Sequence, residues 1–114
     1  MPRSEFLLSE YRGMWLFALF DLPVDTRAAR HRYAQFRRLL IQEGFCMVQF
    51  SVYARYCASE ELADPICRRI AREVPEDGHV RLLMVTDRQF GKMQVYHGKT
   101  RVPAESMPAQ LLLF

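Results

Sequence analysis

The stretch Met14-Trp15-Leu16-Phe17-Ala18-Leu19-Phe20-Asp21-Leu22-Pro23 decides how this chain folds. Seven apolar residues in a row, Met14 to Phe20, predict a buried strand. The run ends on a carboxylate, Asp21, and the Leu22-Pro23 step turns the chain away. An acid at the mouth of a buried strand is placed to hold a metal or a proton. Asp25 or Thr26 then caps a helix, because a short side-chain oxygen satisfies a free backbone N–H there. That helix runs to about Glu43, where Gly44 stops it.

At about 100° per residue, Ala28, Ala29, Tyr33, Phe36, Leu39 and Leu40 share one arc of this helix. Arg27, Arg30, His31, Arg37 and Arg38 share the opposite arc, and Arg32 falls at the edge, to snorkel or to reach a partner subunit. Five arginines and a single acid, Glu43, lie between Thr26 and Gly44. A solvated helix face ordinarily mixes both signs. A one-sign stripe repels itself, so its expected complement is anionic, and a phosphate backbone fits best.

Phe45 to Cys57 is rich in aromatic and β-branched residues and predicts strand. Thirteen residues is long for one strand. A break, bulge or tight hairpin near Gln49-Phe50-Ser51 would divide it, and the absence of Gly or Asn there leaves the choice open. A second helix covers about Ser59 to Val74, with Ile66, Ile70 and Val74 as its buried stripe. Its Pro65 implies either that Asp64 caps the main helix or that the first turn is distorted. His79 to Thr86 is a strand, Met93 to His97 a shorter one, and His97-Gly98-Lys99 a turn. The apolar end Ala109-Gln110-Leu111-Leu112-Leu113-Phe114 needs a surface or a sheet edge, and the edge of a second subunit would serve.

The order strand, helix, strand or hairpin, helix, strand gives an α+β class. It is the ferredoxin-like βαββαβ arrangement, with helices on one face of an antiparallel sheet. The other face, if apolar, is hidden most simply by face-to-face dimerisation. The 114 residues suffice for one domain, read as a flexible arm over 1–12 and a ferredoxin-like domain over 13–114. Three cysteines without a CxxC pair argue against a disulfide framework or a zinc site. No apolar run reaches the ~18 residues of a membrane span, and residues 1–12 lack the pattern of a signal peptide, which predicts a cytoplasmic protein. The net charge is only +3, but fourteen of the sixteen basic residues are arginine, the planar cation suited to phosphate.

Four segments in this order resemble a known family. They are Phe20-Asp21-Leu22-Pro23 after an apolar strand, Tyr33-Ala34-Gln35-Phe36-Arg37 with Gly44-Phe45, Gln49-Phe50-Ser51-Val52-Tyr53, and Val80-Arg81-Leu82-Leu83 leading into Thr86-Asp87-Arg88-Gln89-Phe90. Over about Met14 to Phe114 the chain resembles the small CRISPR-associated adaptation protein, the second Cas protein, with wording similar to members from type II systems. The resemblance implies a ferredoxin-like homodimer whose extra C-terminal strand is exchanged onto the neighbouring sheet. It implies a partner, the CRISPR integrase, bridged by this dimer while it binds protospacer DNA for spacer acquisition. It also implies a Mg2+-dependent endonuclease (endoribonuclease) activity on RNA or on double-stranded DNA. Asp21 stands at the family's metal-binding aspartate, and Phe20 at an aromatic position where many relatives carry tyrosine, whose hydroxyl is missing here.

In that frame Asp21 is the candidate catalytic and metal-binding residue, and Arg27, Arg30, Arg37 and Arg38 are the candidate nucleic-acid contacts. Phe20, Ser51 and Tyr53 are candidate neighbours. If a twofold axis passes near Asp21, two carboxylates meet and Mg2+ relieves their repulsion. Such an ion would polarise a phosphoryl oxygen and supply the attacking hydroxide, since no histidine is evidently placed as a base. The competing role for Asp21 is an Asx-turn before Pro23. Three readings stand: a metal-dependent endonuclease, a non-catalytic DNA-binding scaffold, and a ferredoxin-like metabolite sensor.

Overall fold

The computed structural model describes residues 13–103. The proposed arm over 1–12 and the apolar segment Ala109–Phe114, with its exchanged strand, lie outside the described residues. The chain runs β1 (Met14–Asp21), α1 (Arg27–Gln42), β2 (Cys46–Gln49), β3 (Val52–Cys57), α2 (Glu60–Arg72) and β4 (His79–Thr86). A short helix α3 (Asp87–Gly91) and the strands β5 (Val95–His97) and β6 (Thr100–Val102) follow. The first four strands form one antiparallel sheet in the order β2-β3-β1-β4, the ferredoxin-like arrangement, and β5 pairs with β6 in a separate hairpin.

Each boundary has a local cause. Thr26 caps α1, its Oγ1 accepting from the Ala29 N–H at 3.0 Å. At the other end Gly44 takes φ +90°, its N–H donates to the Ile41 carbonyl, and the Phe45 N–H reaches back to Leu40. That is a Schellman closure, and the accompanying apolar contact is made by Phe45 and Leu40, both in the core. The segment 45–57 is a hairpin rather than one strand. Gln49 pairs with Val52 across the two-residue turn Phe50-Ser51, and the register shifts between Met47 and Gln49. Ser51, a non-glycine, takes φ +62°.

Three expectations are corrected. Ser59, not Asp64, caps α2, and the helix continues through Pro65 without ending there. Val74 is 38% exposed and lies beyond the last turn, so Ala63, Ile66 and Ile70 form the buried stripe. Ala28 is exposed, leaving Ala29, Phe36 and Leu40 as the fully buried face of α1.

Alternation along β1 separates two faces. Leu16, Ala18 and Phe20 point to the helices and join Leu40, Phe45, Tyr53, Ile66 and Ile70 in the main core. Trp15, Phe17, Leu19 and Asp21 point the other way. Half of that second face is covered. Trp15 stacks on Phe90 of α3 at 4.0 Å and 12°, and its indole N–H donates to Asp87 Oδ1 at 2.8 Å. Phe17, Val85, Met93 and Val95 pack around this pair. The uncovered half carries Leu19, Val52 and Leu83, the last 52% exposed, and ends at Asp21.

Candidate functional site

Asp21 closes β1 on the face the helices leave bare, and it is exposed. Among the described residues no hydrogen bond or ion pair engages its carboxylate, so the Asx-turn is not made. Its close environment comes from the start of β4. Gly78 adopts φ +90° and packs so tightly that a Cβ on it would lie 2.4 Å from the Asp21 carbonyl oxygen. The next residue, His79, is the cross-strand partner of Asp21. Directly opposed residues of an antiparallel pair carry their side chains on one face, about 5 Å apart at Cβ. Arg81 sits on the same face, opposite Leu19. Nothing in the sequence sets His79 apart from the other scattered histidines, His31 and His97. His79 heads a strand antiparallel to the one that Asp21 ends, and only the register shows that the two oppose each other.

Phe20, Ser51 and Tyr53 belong to another neighbourhood. Phe20 is a core residue on the helix side, with ring centres 5.6 Å from Tyr33, 5.2 Å from Phe36 and 5.7 Å from Tyr53. The Ser51 hydroxyl shares a 3.0 Å hydrogen bond with the Tyr33 hydroxyl, and its carbonyl accepts from the Phe20 N–H at 3.1 Å. The buried Tyr53 hydroxyl accepts from Arg37 Nε at 2.7 Å. These groups hold the hairpin turn against β1 and lie across the sheet from the Asp21 carboxylate.

The arginines divide in the same way. Arg27 and Arg38 are exposed, and Arg30 is exposed with Nη1 donating to the Val24 carbonyl at 3.1 Å. Arg37 is tied at one end to Tyr53. Arg32 pairs with Asp77 at 3.6 Å, so the edge position faces an acid of its own chain. Arg69 grips Glu43 through two bonds, Nε to Oε2 at 2.9 Å and Nη2 to Oε1 at 2.7 Å. These bonds hold the Glu43 carboxyl below its ordinary value of 4.5, against the upward pull of desolvation and with help from the charges of Arg69 and Arg55. Arg55 also donates to the Glu43 carbonyl. Burial pushes the Cys57 and Cys67 thiols upward, as expected of unreactive thiols near a core.

Among the described residues no group of three or more His, Cys, Asp or Glu side chains gathers to hold a metal. Magnesium needs less, since it accepts one or two carboxylates and keeps its waters. Asp21, exposed and uncommitted among the described residues, fits that requirement. Among the described residues no helix is long and apolar enough to cross a membrane.

Comparison with known proteins agrees with this architecture. A solved structure described as "Crystal structure of cas2" superposes with a TM-score of 0.54 at 22% identity, covering 79% of this chain and 94% of that one, a likeness of fold. A protein of Parvibaculum lavamentivorans named CRISPR-associated endoribonuclease Cas2 is 52% identical over 89% of this chain and all of its own length. One of the same name from Flavobacterium psychrophilum is 42% identical over 94% of this chain and 93% of its own. The family model described as CRISPR associated protein Cas2 matches residues 14–93, from the first residue of β1 through α3, and the chain therefore belongs to the Cas2 family.

Proposed function

We propose that this chain is a metal-dependent endoribonuclease of CRISPR adaptation, with Asp21 as its catalytic and metal-binding carboxylate. The observation that carries the reading is the exposed Asp21 carboxylate, unengaged among the described residues at the end of a buried strand, in a family whose relatives are named endoribonucleases. Mg2+ held by Asp21 would supply Lewis-acid polarisation of a phosphoryl oxygen. Arg27, Arg30 and Arg38 take flanking phosphates, and Arg37 contributes its charge from a fixed position. The uncovered apolar half-face, with Leu19, Val52 and Leu83, supports a homodimer packed sheet to sheet within the cytoplasm. In that assembly Asp21 approaches its symmetry copy. The dimer bridges the CRISPR integrase and grips protospacer DNA by its backbone.

A second reading, the non-catalytic scaffold, is favoured by one observation: a single subunit gathers no cluster of metal-binding side chains among the described residues. Asp21→Asn separates the two. Loss of RNA cleavage with spacer acquisition intact makes the scaffold the cellular role, whereas loss of both with an intact dimer makes the cleavage essential. Charge reversal at Arg30 and Arg38 weakens duplex binding across all sequences and flattens its salt dependence. Unchanged binding would reduce the stripe to a solvated face.

A further inference from the structure

We infer that Phe50, at the tip of the β2–β3 hairpin, is a stacking platform for an unpaired nucleobase of single-stranded RNA. The inference deepens the RNA-cleaving reading above and rests on it. Phe50 is 76% exposed, the most exposed of the large apolar side chains in the described chain. Its ring is nevertheless oriented. It lies nearly parallel to Tyr33, at 18° with centres 5.9 Å apart. Tyr33 is fixed in turn by its 3.0 Å bond to Ser51 and by the Phe20 ring. One side of Phe50 therefore rests on a fixed aromatic, while most of its surface faces solvent.

The turn that presents Phe50 departs from local preference. Two-residue hairpin turns favour Asn or Gly where φ is positive, yet Ser51 occupies φ +62°. Such departures, when over-determined by surrounding contacts, mark places where geometry serves function. Here the Phe20 N–H and the Tyr33 hydroxyl both hold Ser51. The Phe20 N–H belongs to β1, so the platform is anchored to the strand that ends at Asp21, on the opposite face of the sheet from the Asp21 carboxylate.

Charge favours a nucleotide over an apolar protein segment as the occupant. Tyr33 sits one helical turn from both Arg30 and Arg37 along α1, so both arginines border the row that carries it, Arg30 held by the Val24 carbonyl and Arg37 by the Tyr53 hydroxyl. An aromatic face beside arginines suits an unpaired base with its phosphates. A duplex, whose bases are already stacked, gains nothing from the ring.

The test measures binding of a fluorescein-labelled single-stranded RNA by the full chain at low salt in EDTA, with duplex DNA in parallel. Phe50→Ala and Phe50→Leu are expected to weaken RNA binding by roughly five- to 150-fold, the range for one lost base stack. Phe50→Trp retains or tightens binding, and duplex affinity is unchanged in all three. Wild-type RNA affinity in Phe50→Leu overturns the platform; if Arg30→Glu still weakens binding, the broader RNA reading survives. A wild-type chain that ignores single-stranded RNA overturns both. A change of oligomeric state in Phe50→Ala at constant RNA affinity assigns the ring to a protein contact and likewise overturns the proposal.

Discussion

Replacing glycines one at a time tests whether β4 is built to press against Asp21. A Cβ at Gly78 would meet the Asp21 carbonyl oxygen at 2.4 Å, Leu22 Cδ2 at 2.9 Å and Leu22 Cα at 3.0 Å. Two of those atoms are backbone and cannot rotate away. The residue would also hold φ +90° with a side chain, at about 1–2 kcal/mol. Overpacking adds about 1–3 kcal/mol, and the stiffer unfolded chain returns about 0.4–1 kcal/mol. Gly78→Ala is thus expected to cost about 1–4.6 kcal/mol. Gly98, at φ +62° with open space around it, faces only the first cost, so Gly98→Ala loses roughly 0–1.5 kcal/mol. Gly91 has no neighbour within 4 Å and ends a helix, so Gly91→Ala is neutral or gains up to about 1 kcal/mol. At roughly 4 °C per kcal/mol, the midpoint of thermal unfolding followed by circular dichroism should fall by about 4–18 °C for Gly78→Ala and by no more than about 6 °C for Gly98→Ala. Equal losses at the two positions would refute the close approach, and with it the idea that β4 fixes where Asp21 stands.

Two further perturbations read other contacts. Arg37→Ala strands the buried Tyr53 hydroxyl and should cost about 1–3 kcal/mol. Adding Tyr53→Phe should make the double variant less damaged than the sum of the two, measured by a denaturant double-mutant cycle; strict additivity would deny the bond. The Arg69–Glu43 pair sets an acid dependence. A carboxyl whose folded value lies below 4.5 contributes stability that is full above 4.5 and is lost as pH falls through the lower folded value. Glu43→Gln should therefore melt below the wild type near neutrality, with the gap closing in acid, and a gap that persists at low pH would contradict the pairing.

The parts of the fold written in local chemistry were legible from residues. The apolar run of β1 and the Gly44 stop each act within a few positions and stand where the sequence puts them, and of the two cap candidates, Asp25 and Thr26, Thr26 makes the bond. The place of the division at Gln49-Phe50-Ser51 was legible, but its form as a tight hairpin was not, because Ser51 holds a conformation that usually announces itself through Gly or Asn. The helix α3 had a readable signature that went unused: Thr86 and Gln89 form a reciprocal capping box. Pro65 misled because its cost inside a helix is outweighed by the burial of Ala63, Ile66 and Ile70. At the site, Asp21 could be picked from its place in the pattern. His79 could not, since opposition across a ladder depends on register. The commitment of Arg37 to Tyr53 was equally hidden, because helical periodicity places a side chain on an arc without saying what it reaches.

The stack of Trp15 on Phe90 has a practical corollary. Trp15 is the single tryptophan of the chain, and its indole is clamped between an aromatic ring and the Asp87 carboxylate. Its emission is thus a built-in optical gauge of whether α3 stays docked. A red shift before global melting would report that this small helix detaches as a separate event, while the hydrogen-bonded ladders of the sheet persist.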